Sequence, residues 1–240
     1  GIVGMAQSLD AEFACVIYDE AKMRFYAARD PIGIRPLFYG YDTEGDIYFA
    51  SEVKSLHSIC KTVAPFPPGH CYDGQNFIQY TDIARVETYN NDEQEAIFEN
   101  INRLLIKAVK KRMNADAPVG FLCSGGLDSS LVCAIAAKLS PRPIKTFAVG
   151  IVDGPIDTKY ARIVADYLKS EHHEYLFTKK DIFDTLSELI YTTETWDITT
   201  IRASLGMYLI CKYVRENTDV KVLLTGEISD ELFGYKYTDF

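Results

Sequence analysis

The sequence lacks the features that mark membrane, secreted and zinc-binding proteins. No apolar run among its 240 residues reaches the roughly 18 to 20 residues that a membrane helix needs, and the first residues show no basic flank and apolar stretch of a signal peptide. The six cysteines form no CxxC pair and show no ligand spacing with the four histidines. These absences predict a soluble, cytoplasmic protein without a membrane segment or a zinc site.

Positive charge is also scarce in this chain. Lys and Arg number 25 against 34 Asp and Glu, a net charge of -9, and such a chain repels a nucleic-acid backbone unless its basic residues cluster. The one dense basic run, 107–112, lies on the polar side of a helical pattern, which is typical of a solvated face. We therefore expect no nucleic-acid partner.

The first part of the chain has the pattern of short strands separated by turn residues. Helical signal is thin there, since only 51–60 has apolar residues at helical spacing, so this part is predicted to be mostly antiparallel β structure. The predicted strands span 13–18, 23–28, 37–41, 47–50 and 76–80.

Near residue 89 the pattern changes to alternating strands and helices. Asp92 is expected to cap a helix with one apolar stripe. Compact apolar runs, each followed by a helical pattern, then predict βαβ units around a buried parallel sheet, with strands at 119–123, 144–149, 174–177 and 220–224. The chain is therefore expected to form two domains, 1–88 and 89–240, of β-rich and α/β class.

The strongest motif is Cys-Ser-Gly-Gly-Leu-Asp-Ser-Ser at 123–130, where an apolar strand runs into a helix. Gly125 and Gly126 let backbone N–H groups approach an anion, and the helix start adds unpaired N–H groups and the positive end of its dipole. Hydroxyl donors and a carboxylate suited to Mg²⁺ belong to the same loop, namely Ser124, Ser129, Ser130 and Asp128. The loop is therefore predicted to bind phosphate. Its sequence matches neither of the phosphate-binding motifs GxxxxGK[ST] and GxGxxG. The alternative is a plain tight turn between strand and helix.

A second polar segment, Thr-Gly-Glu-Ile-Ser-Asp-Glu at 225–231, follows the last predicted strand. Because ligands of open α/β sheets bind beyond the carboxyl ends of strands, we expect this segment to converge with the phosphate loop. Its carboxylates, Glu227, Asp230 and Glu231, suit magnesium binding or proton transfer. In the alternative, Asp230 and Glu231 are ordinary first-turn residues favoured by the helix dipole.

With both motifs in place, the chain resembles the glutamine-hydrolysing asparagine synthetases, and its phosphate loop is similar to that of the PP-loop ATP pyrophosphatases. The segment 194–204 matches the stretch that helps form the family's aspartate pocket, and 147–150 matches the strand end that meets the adenine. The resemblance implies a parallel α/β sheet of the adenine-nucleotide α-hydrolase type, preceded by part of an N-terminal-nucleophile glutaminase α+β sandwich.

The chemistry of 199–202 agrees with an aspartate pocket. Arg202 offers a planar fork for a carboxylate, and Thr199 and Thr200 offer hydroxyl groups. The alternative is that Arg202 simply pairs with Glu194 or Asp197.

The resemblance implies that aspartate attacks the α-phosphate of ATP, giving an aspartyl-adenylate that ammonia converts to asparagine, with release of AMP and pyrophosphate. It implies ATP and Mg²⁺ as cofactors and glutamine or ammonia as the nitrogen source, and it leaves a homodimer open. The implied nucleotide-binding residues are Cys123, Ser124, Gly125, Gly126, Asp128, Ser129, Ser130, Val149, Thr225 and Gly226. The other implied residues are Asp128 and Asp230 for magnesium, Thr199, Thr200 and Arg202 for aspartate, and Glu227 as the general base.

The first part of the chain resembles later strands of the family's glutaminase domain over 13–19, 28–37 and 49–54. That domain uses an N-terminal cysteine, whereas residues 1–4 resemble a short strand that follows this cysteine. Cys15 lies within an apolar strand pattern and is expected to be buried and inert. The glutamine-binding motifs and the family's catalytic lysine have no counterpart here, and Ile228 stands where the family usually has a small residue.

These departures leave two explanations. Either segments of the protein are missing from the sequence as numbered, or the molecule itself is shortened. The first is favoured, because a deletion that keeps the strand at 1–4 but removes the segment after it would be unusual. The leading function is the synthesis of asparagine. The alternatives are a β-lactam-synthetase-like ligase and a catalytically incomplete nucleotide-binding remnant.

Overall fold

The computed structural model describes residues 1–89, 91–154 and 156–234, without the side chains of 156 and 157. It divides the chain into two compact units, 1–91 and 92–240. The helices are α1 (Ile2–Ser8), α2 (Gln94–Arg112), α3 (Leu127–Leu139), α4 (Ile156–Leu168), α5 (Lys179–Thr193), α6 (Ile198–Asn217) and α7 (Ser229–Phe233). The strands are β1 (Ala14–Asp19), β2 (Arg24–Arg29), β3 (Phe38–Tyr41), β4 (Ile47–Ala50), β5 (Thr62–Pro65), β6 (His70–Tyr72), β7 (Phe77–Gln79), β8 (Val119–Leu122), β9 (Lys145–Ile151), β10 (Glu171–Phe177) and β11 (Val222–Leu224).

The first unit contains two antiparallel sheets, with strand orders β1-β2-β6-β7 and β4-β3-β5. Aromatic side chains from both sheets surround the fully buried Phe66. Its ring centroid lies 6.2 Å from those of Tyr39 and Phe49 and 5.2 Å from that of Phe77. The predicted antiparallel β structure is confirmed, and aromatic rings form a large part of the core between the two sheets.

The start of the chain is helical, so the prediction of a strand at residues 1–4 is wrong. Ile2, Val3 and Ala6 have the spacing of one helix face, and they pack against Ala28 and Cys71 of the first sheet. Burial of this face stabilises a helix that local sequence alone does not indicate.

The thin helical signal over 51–60 corresponds to a short 3₁₀ turn at Val53–Ser55. Leu56 is buried, but Ile59 is 50% exposed, so there is too little buried surface to hold a longer helix. Strands β5 and β6 lie in a proline-rich stretch that the sequence pattern missed. β5 pairs only with β3 and forms an edge of its sheet, where proline is tolerated.

A buried carboxylate organises the turn after β2. Asp30 is 1% exposed, and one of its oxygens accepts the N–H groups of Ile32, Gly33 and Ile34 at 3.1, 2.7 and 3.1 Å. The other oxygen accepts the N–H of Arg35 at 3.1 Å. Four backbone donors are therefore satisfied by one side chain.

The neighbouring guanidinium closes the same turn from the other side. Arg29 donates to the carbonyl oxygens of Arg35, Phe66 and Gly33 at 2.8, 2.6 and 2.7 Å. Burial lowers the pKa of Arg29, against the opposing effect of the Asp30 charge. The pair thus joins the turn to the aromatic core through Phe66.

The second unit is built on a four-stranded parallel sheet in the order β10-β9-β8-β11. Val109 of α2, Ala136 of α3 and Ala161 of α4 belong to the core on one face. On the other face, Ile210 of α6 packs against Phe147 of β9. The predicted parallel α/β sheet is confirmed, and burial on both faces explains why its strands read as compact apolar runs.

Two details of the second unit differ from expectation. Helix α2 begins at Gln94 with Glu93 at its N-cap and no side-chain cap bond, so the expected cap by Asp92 is wrong. Strand β10 begins at Glu171 rather than at 174, because its polar His172 is paired with Thr146 of β9, Nδ1 to Oγ1, at 2.9 Å. Among the described helices, none is long and apolar enough to cross a membrane.

Asp30→Ala is expected to lower the free energy of unfolding of the first unit by about 3 kcal/mol, because four N–H groups lose their bond to a buried carboxylate and only that of Gly33 keeps a second acceptor, the carbonyl oxygen of residue 30. Hydrogen exchange of residues 1–91 under increasing urea measures this change. Asp42→Ala is the matched control, since Asp42 accepts the N–H groups of Glu44 and Asp46 in an exposed turn and is expected to cost about 1 kcal/mol. Equal losses in the two variants would contradict the special role of Asp30.

Candidate functional site

The candidate site lies where two parallel strands end side by side. β11 pairs with β8, with Leu224 opposite Phe121, while β9 and β10 continue on the other side of β8. The strand order therefore reverses between β8 and β11, which is the position at which open α/β sheets bind ligands. The segments that follow β8 and β11 line one cavity of 380 Å³.

The loop after β8 is shaped for close approach of an anion to its backbone. Gly125 has φ +82°, and a Cβ there would lie 2.5 and 2.6 Å from backbone atoms of Tyr160 and Ala161. Only glycine fits this position. Gly126 stands at the N-cap of α3, which has no side-chain cap bond, so the helix start is left for a ligand.

Serine hydroxyl groups tie the loop to the first turn of α3. The N–H of Ser124 donates to Ser129 Oγ at 3.2 Å, and the two hydroxyl oxygens lie 3.0 Å apart. The hydroxyl of Ser130 is buried and has no hydrogen-bond partner among the described residues. A buried hydroxyl group without a partner is unusual, and this one lies in the first turn of α3, directly after the glycine-rich loop.

The segment after β11 forms the second wall and touches the first. A Cβ on Gly226 would lie 2.7 Å from the nitrogen of Ser129 and 2.8 Å from the carbonyl carbon of Asp128. Ser229 Oγ donates to the carbonyl oxygen of Gly226 at 3.0 Å. Ile228 has φ +75°, a left-handed conformation that strains a β-branched residue.

The third wall is apolar and comes from α6 and β9. The α6 residues that line the cavity recur at helical spacing, and they are Ala203, Gly206, Met207 and Ile210. Gly206 leaves room beside Val149, whose Cγ1 would be 3.5 Å from a Cβ on Gly206. The sequence reasoning missed this α6 stripe, although its i, i+3, i+4, i+7 spacing directly after Arg202 is a signal that could have found it.

Most of the predicted site residues meet in this cavity. Those that line it are Cys123, Ser124, Gly126, Asp128, Ser129, Val149, Thr225, Gly226, Glu227 and Asp230. Gly125 and Ser130 do not line it, but they belong to the loop that does. The N–H of Glu227 donates to Thr225 Oγ1 at 3.3 Å.

The predicted aspartate-binding residues do not line the cavity. Thr199, Thr200 and Arg202 lie exposed in the first turns of α6. The backbone N–H and the hydroxyl group of Thr200 both donate to Asp197, at 2.7 and 2.8 Å, so Thr200 takes part in capping the helix. No ion pair joins Arg202 to any side chain in the part of the chain that the structure describes.

The lining of the cavity is acidic. Its lining includes four carboxylates and, among the described residues, no Lys or Arg; the carboxylates are Asp128, Glu227, Asp230 and Glu231. No group of three or more possible metal ligands comes together in the described ranges. This donor set fits Mg²⁺, which proteins commonly hold with one or two carboxylates together with the phosphates of a substrate.

Comparison with known proteins relates both halves of the chain to one group of enzymes. A family model described as asparagine synthase matches residues 100–239, and one described as a glutamine amidotransferase domain matches residues 1–58. The chain is 43% identical to a probable glutamine-hydrolyzing asparagine synthetase of Acanthamoeba polyphaga mimivirus, covering 99% of this chain and 48% of that protein.

Other curated relatives show the same extent of similarity. The glutamine-hydrolyzing asparagine synthetases of Zea mays and Homo sapiens are 41% and 40% identical, covering 94% and 95% of this chain and 40% and 46% of those proteins. The chain thus spans about half the length of the curated relatives it matches. A glutamine-dependent NAD⁺ synthetase structure from Acinetobacter baumannii in complex with adenosine diphosphate is 19% identical, with a TM-score of 0.44, over 80% of this chain and 32% of that chain.

The asparagine synthase model covers more than half of the chain and includes the loop at 123–130, the α6 stripe and the segment at 225–231. These are the three walls of the cavity. The chain belongs to the asparagine synthase family.

Proposed function

We propose that this chain takes part in the ATP-dependent amidation of aspartate to asparagine through an aspartyl-adenylate, with release of AMP and pyrophosphate and with ammonia drawn from glutamine. The observation that carries this proposal is the convergence of a glycine-rich loop, a carboxylate-rich segment and an apolar wall on one cavity at the carboxyl end of a parallel sheet. The similarity to named asparagine synthetases over nearly the whole chain supports it.

In this proposal the cavity binds ATP. The base lies against the apolar wall beside Val149, and the backbone and hydroxyl groups of 124–130 hold the phosphates. When bound, Mg²⁺ would be held by Asp128 and Asp230. It would neutralise the negative charge of the phosphates, which the carboxylates of the lining would otherwise repel. The backbone N–H groups at the start of α3 then stabilise the charge that develops on the leaving pyrophosphate.

Aspartate is proposed to bind at the amino end of α6. Thr199 lies one helical turn before Ala203 of the cavity wall, and the guanidinium of Arg202 is exposed nearby. A planar fork is suited to the α-carboxylate, which leaves the side-chain carboxylate to attack the α-phosphate. Binding there positions the two reacting groups, which is a large part of the work in such a reaction.

Glu227 is proposed as the base for the second step. It is exposed at the cavity lining, and its backbone is held by Thr225. An ammonia molecule that attacks the adenylate carbonyl must lose a proton, and a carboxylate beside the carbonyl can accept it. We also propose that 1–88 is part of a glutaminase domain that supplies this ammonia and that 89–240 is part of the synthetase domain.

Asp128→Ala is expected to reduce aspartate-dependent pyrophosphate release by about 100-fold or more, because a ligand of the metal that neutralises the phosphates is lost. Pyrophosphate release from ATP and aspartate, with ammonium chloride as nitrogen source, measures this step independently of glutamine. Asp116→Ala, an exposed residue before β8, is the control and should retain the rate. Unchanged pyrophosphate release in Asp128→Ala would sink the assignment.

Glu227→Gln is expected to keep adenylate formation but to slow asparagine formation by about 100-fold, since an amide does not accept the proton from ammonia. Single-turnover formation of the adenylate from labelled ATP and of asparagine by chromatography separates the two steps. Glu216→Gln, an exposed carboxylate of α6 outside the cavity lining, is the control and should alter neither step by more than a small factor. An equal loss of both steps in Glu227→Gln would mean that Glu227 serves the nucleotide instead.

Ile228→Gly is expected to be more stable than Ile228→Ala by about 1 kcal/mol, because only glycine occupies φ +75° without strain. At ordinary backbone angles the order is reversed, since glycine costs more conformational entropy than alanine. Urea denaturation of the two variants followed by circular dichroism gives the difference. If the alanine variant proves the more stable, Ile228 is not strained in the native state.

A further inference from the structure

Helix α4 lies directly against the loop that forms the first wall of the cavity. A Cβ on Gly125 would lie 2.5 Å from the carbonyl carbon of Tyr160 and 2.6 Å from the backbone nitrogen of Ala161. No described residue of α4 lines the cavity itself. The place of α4 therefore sets how far the loop can move back from a bound ligand.

The face of α4 that is buried against the sheet carries small side chains. Its most deeply buried residues are Thr158, Ala161 and Ala165, while the larger Val164 and Leu168 are partly buried. Small side chains let a helix come close to its sheet, but each makes few contacts that resist a shift of the helix. Polar contacts consequently have a larger share in fixing the place of α4.

An ion pair joins α4 to strand β10. Arg162, next to Ala161, has its Nη2 atom 2.8 Å from Oε2 of Glu174. The other carboxylate oxygen of Glu174, Oε1, lies 3.4 Å from Nε2 of His172. Both of these atoms are buried, and neither has a hydrogen-bond partner among the described residues. The carboxylate thus faces a guanidinium group from α4 on one side and an imidazole ring of its own strand on the other.

The imidazole ring is held from its far side by hydroxyl groups that lead back to α4. His172 Nδ1 lies 2.9 Å from Oγ1 of Thr146, a fully buried residue of β9. Thr146 Oγ1 lies 2.8 Å from Oγ of Ser170, and the N–H of Ser170 donates to the carbonyl oxygen of Ala165 at 3.1 Å. The chain of contacts leaves α4 at Arg162 and returns to it at Ala165, one helical turn later. It holds the helix to the sheet at two points.

We propose that Glu174 is a positioning residue for nucleotide binding: through Arg162 it holds α4 where the helix backbone supports Gly125 of the phosphate loop, and His172 fixes the place of its carboxylate. The support of the loop rests on the contacts of α4 alone. The effect on nucleotide rests in addition on the proposed function of the cavity. Glu174, His172 and Arg162 do not line the cavity, so they act on its ligand only through the loop.

The expected effect concerns the binding of nucleotide and not the chemical steps. Without Glu174, α4 and the loop can move back together, and the N–H groups of the loop are then less well placed for phosphate in the free protein. Binding of Mg·ATP draws the loop into place again, at the expense of affinity. In Glu174→Ala the KM for ATP is therefore expected to rise about tenfold, while kcat at saturating ATP changes by less than about twofold.

The support of the loop is tested without ligand, by hydrogen exchange of the purified full chain read on peptides that cover 123–130. Glu174→Ala and Arg162→Ala are each expected to speed exchange in the loop about fivefold. The double variant should exceed neither single variant by much, because both break the same contact. Glu174→Gln keeps an oxygen for Arg162 and should restore most of the protection.

The controls separate this contact from a general loss of stability. Arg162 has a side chain that is 58% exposed, so Arg162→Ala tests the proposal even if Glu174→Ala does not fold. Asp219→Ala breaks an ion pair of 2.5 Å with Lys145 at the amino end of β9 and should leave exchange in the loop unchanged. Unchanged exchange in both Glu174→Ala and Arg162→Ala would overturn the proposal.

The effect on nucleotide is tested by calorimetric titration of Mg·ATP and by the KM for ATP in pyrophosphate release. We expect about tenfold weaker binding in Glu174→Ala and Arg162→Ala and unaltered binding in Asp219→Ala. Unaltered affinity in variants whose loop exchanges faster, or a fall in kcat with KM unchanged, would overturn the positioning role. If the unaltered chain binds no Mg·ATP while the loop still responds, the proposed function of the cavity fails and the support of the loop by α4 stands.

Discussion

The direct parallel pairing of β11 with β8 is the constraint on which the site depends. It sets the ends of two strands that are a hundred residues apart in the chain side by side, with Leu224 opposite Phe121. The loop and the carboxylate segment that follow them then touch, because Gly226 has no side chain to hold Ser129 away. A side chain at Gly226 would push the two walls apart, and one at Gly125 would push the loop away from α4.

The charge of the cavity shapes what it can bind. Carboxylates such as Asp128 and Asp230 line it, and the described residues around it include no Lys or Arg, so a polyphosphate meets backbone N–H groups, hydroxyl groups and negative charge. Binding under these conditions calls for a divalent cation that is shared between protein and phosphate.

In the first unit, the buried carboxylate of Asp30 and the half-buried guanidinium of Arg29 organise a turn through main-chain groups. Asp30 satisfies four backbone donors, and Arg29 satisfies three backbone acceptors that include the carbonyl of Phe66. Both charges are held by main-chain groups, so their burial leaves few polar atoms unmatched. The aromatic core around Phe66 and the turn are thereby joined.

The sequence by itself determined the parallel sheet, the antiparallel first half and the glycine-rich turn from β8 into α3, because apolar periodicity and the Ser-Gly-Gly spacing are local signals. Tertiary structure alone decided the helix at Ile2–Ser8, whose face is stabilised by Ala28 and Cys71, and the short turn at 53–55, where too little surface is buried. It also decided that α6 contributes Gly206 to the cavity and leaves Arg202 outside the lining. Packing between distant segments sets these outcomes, and no local pattern carries that information.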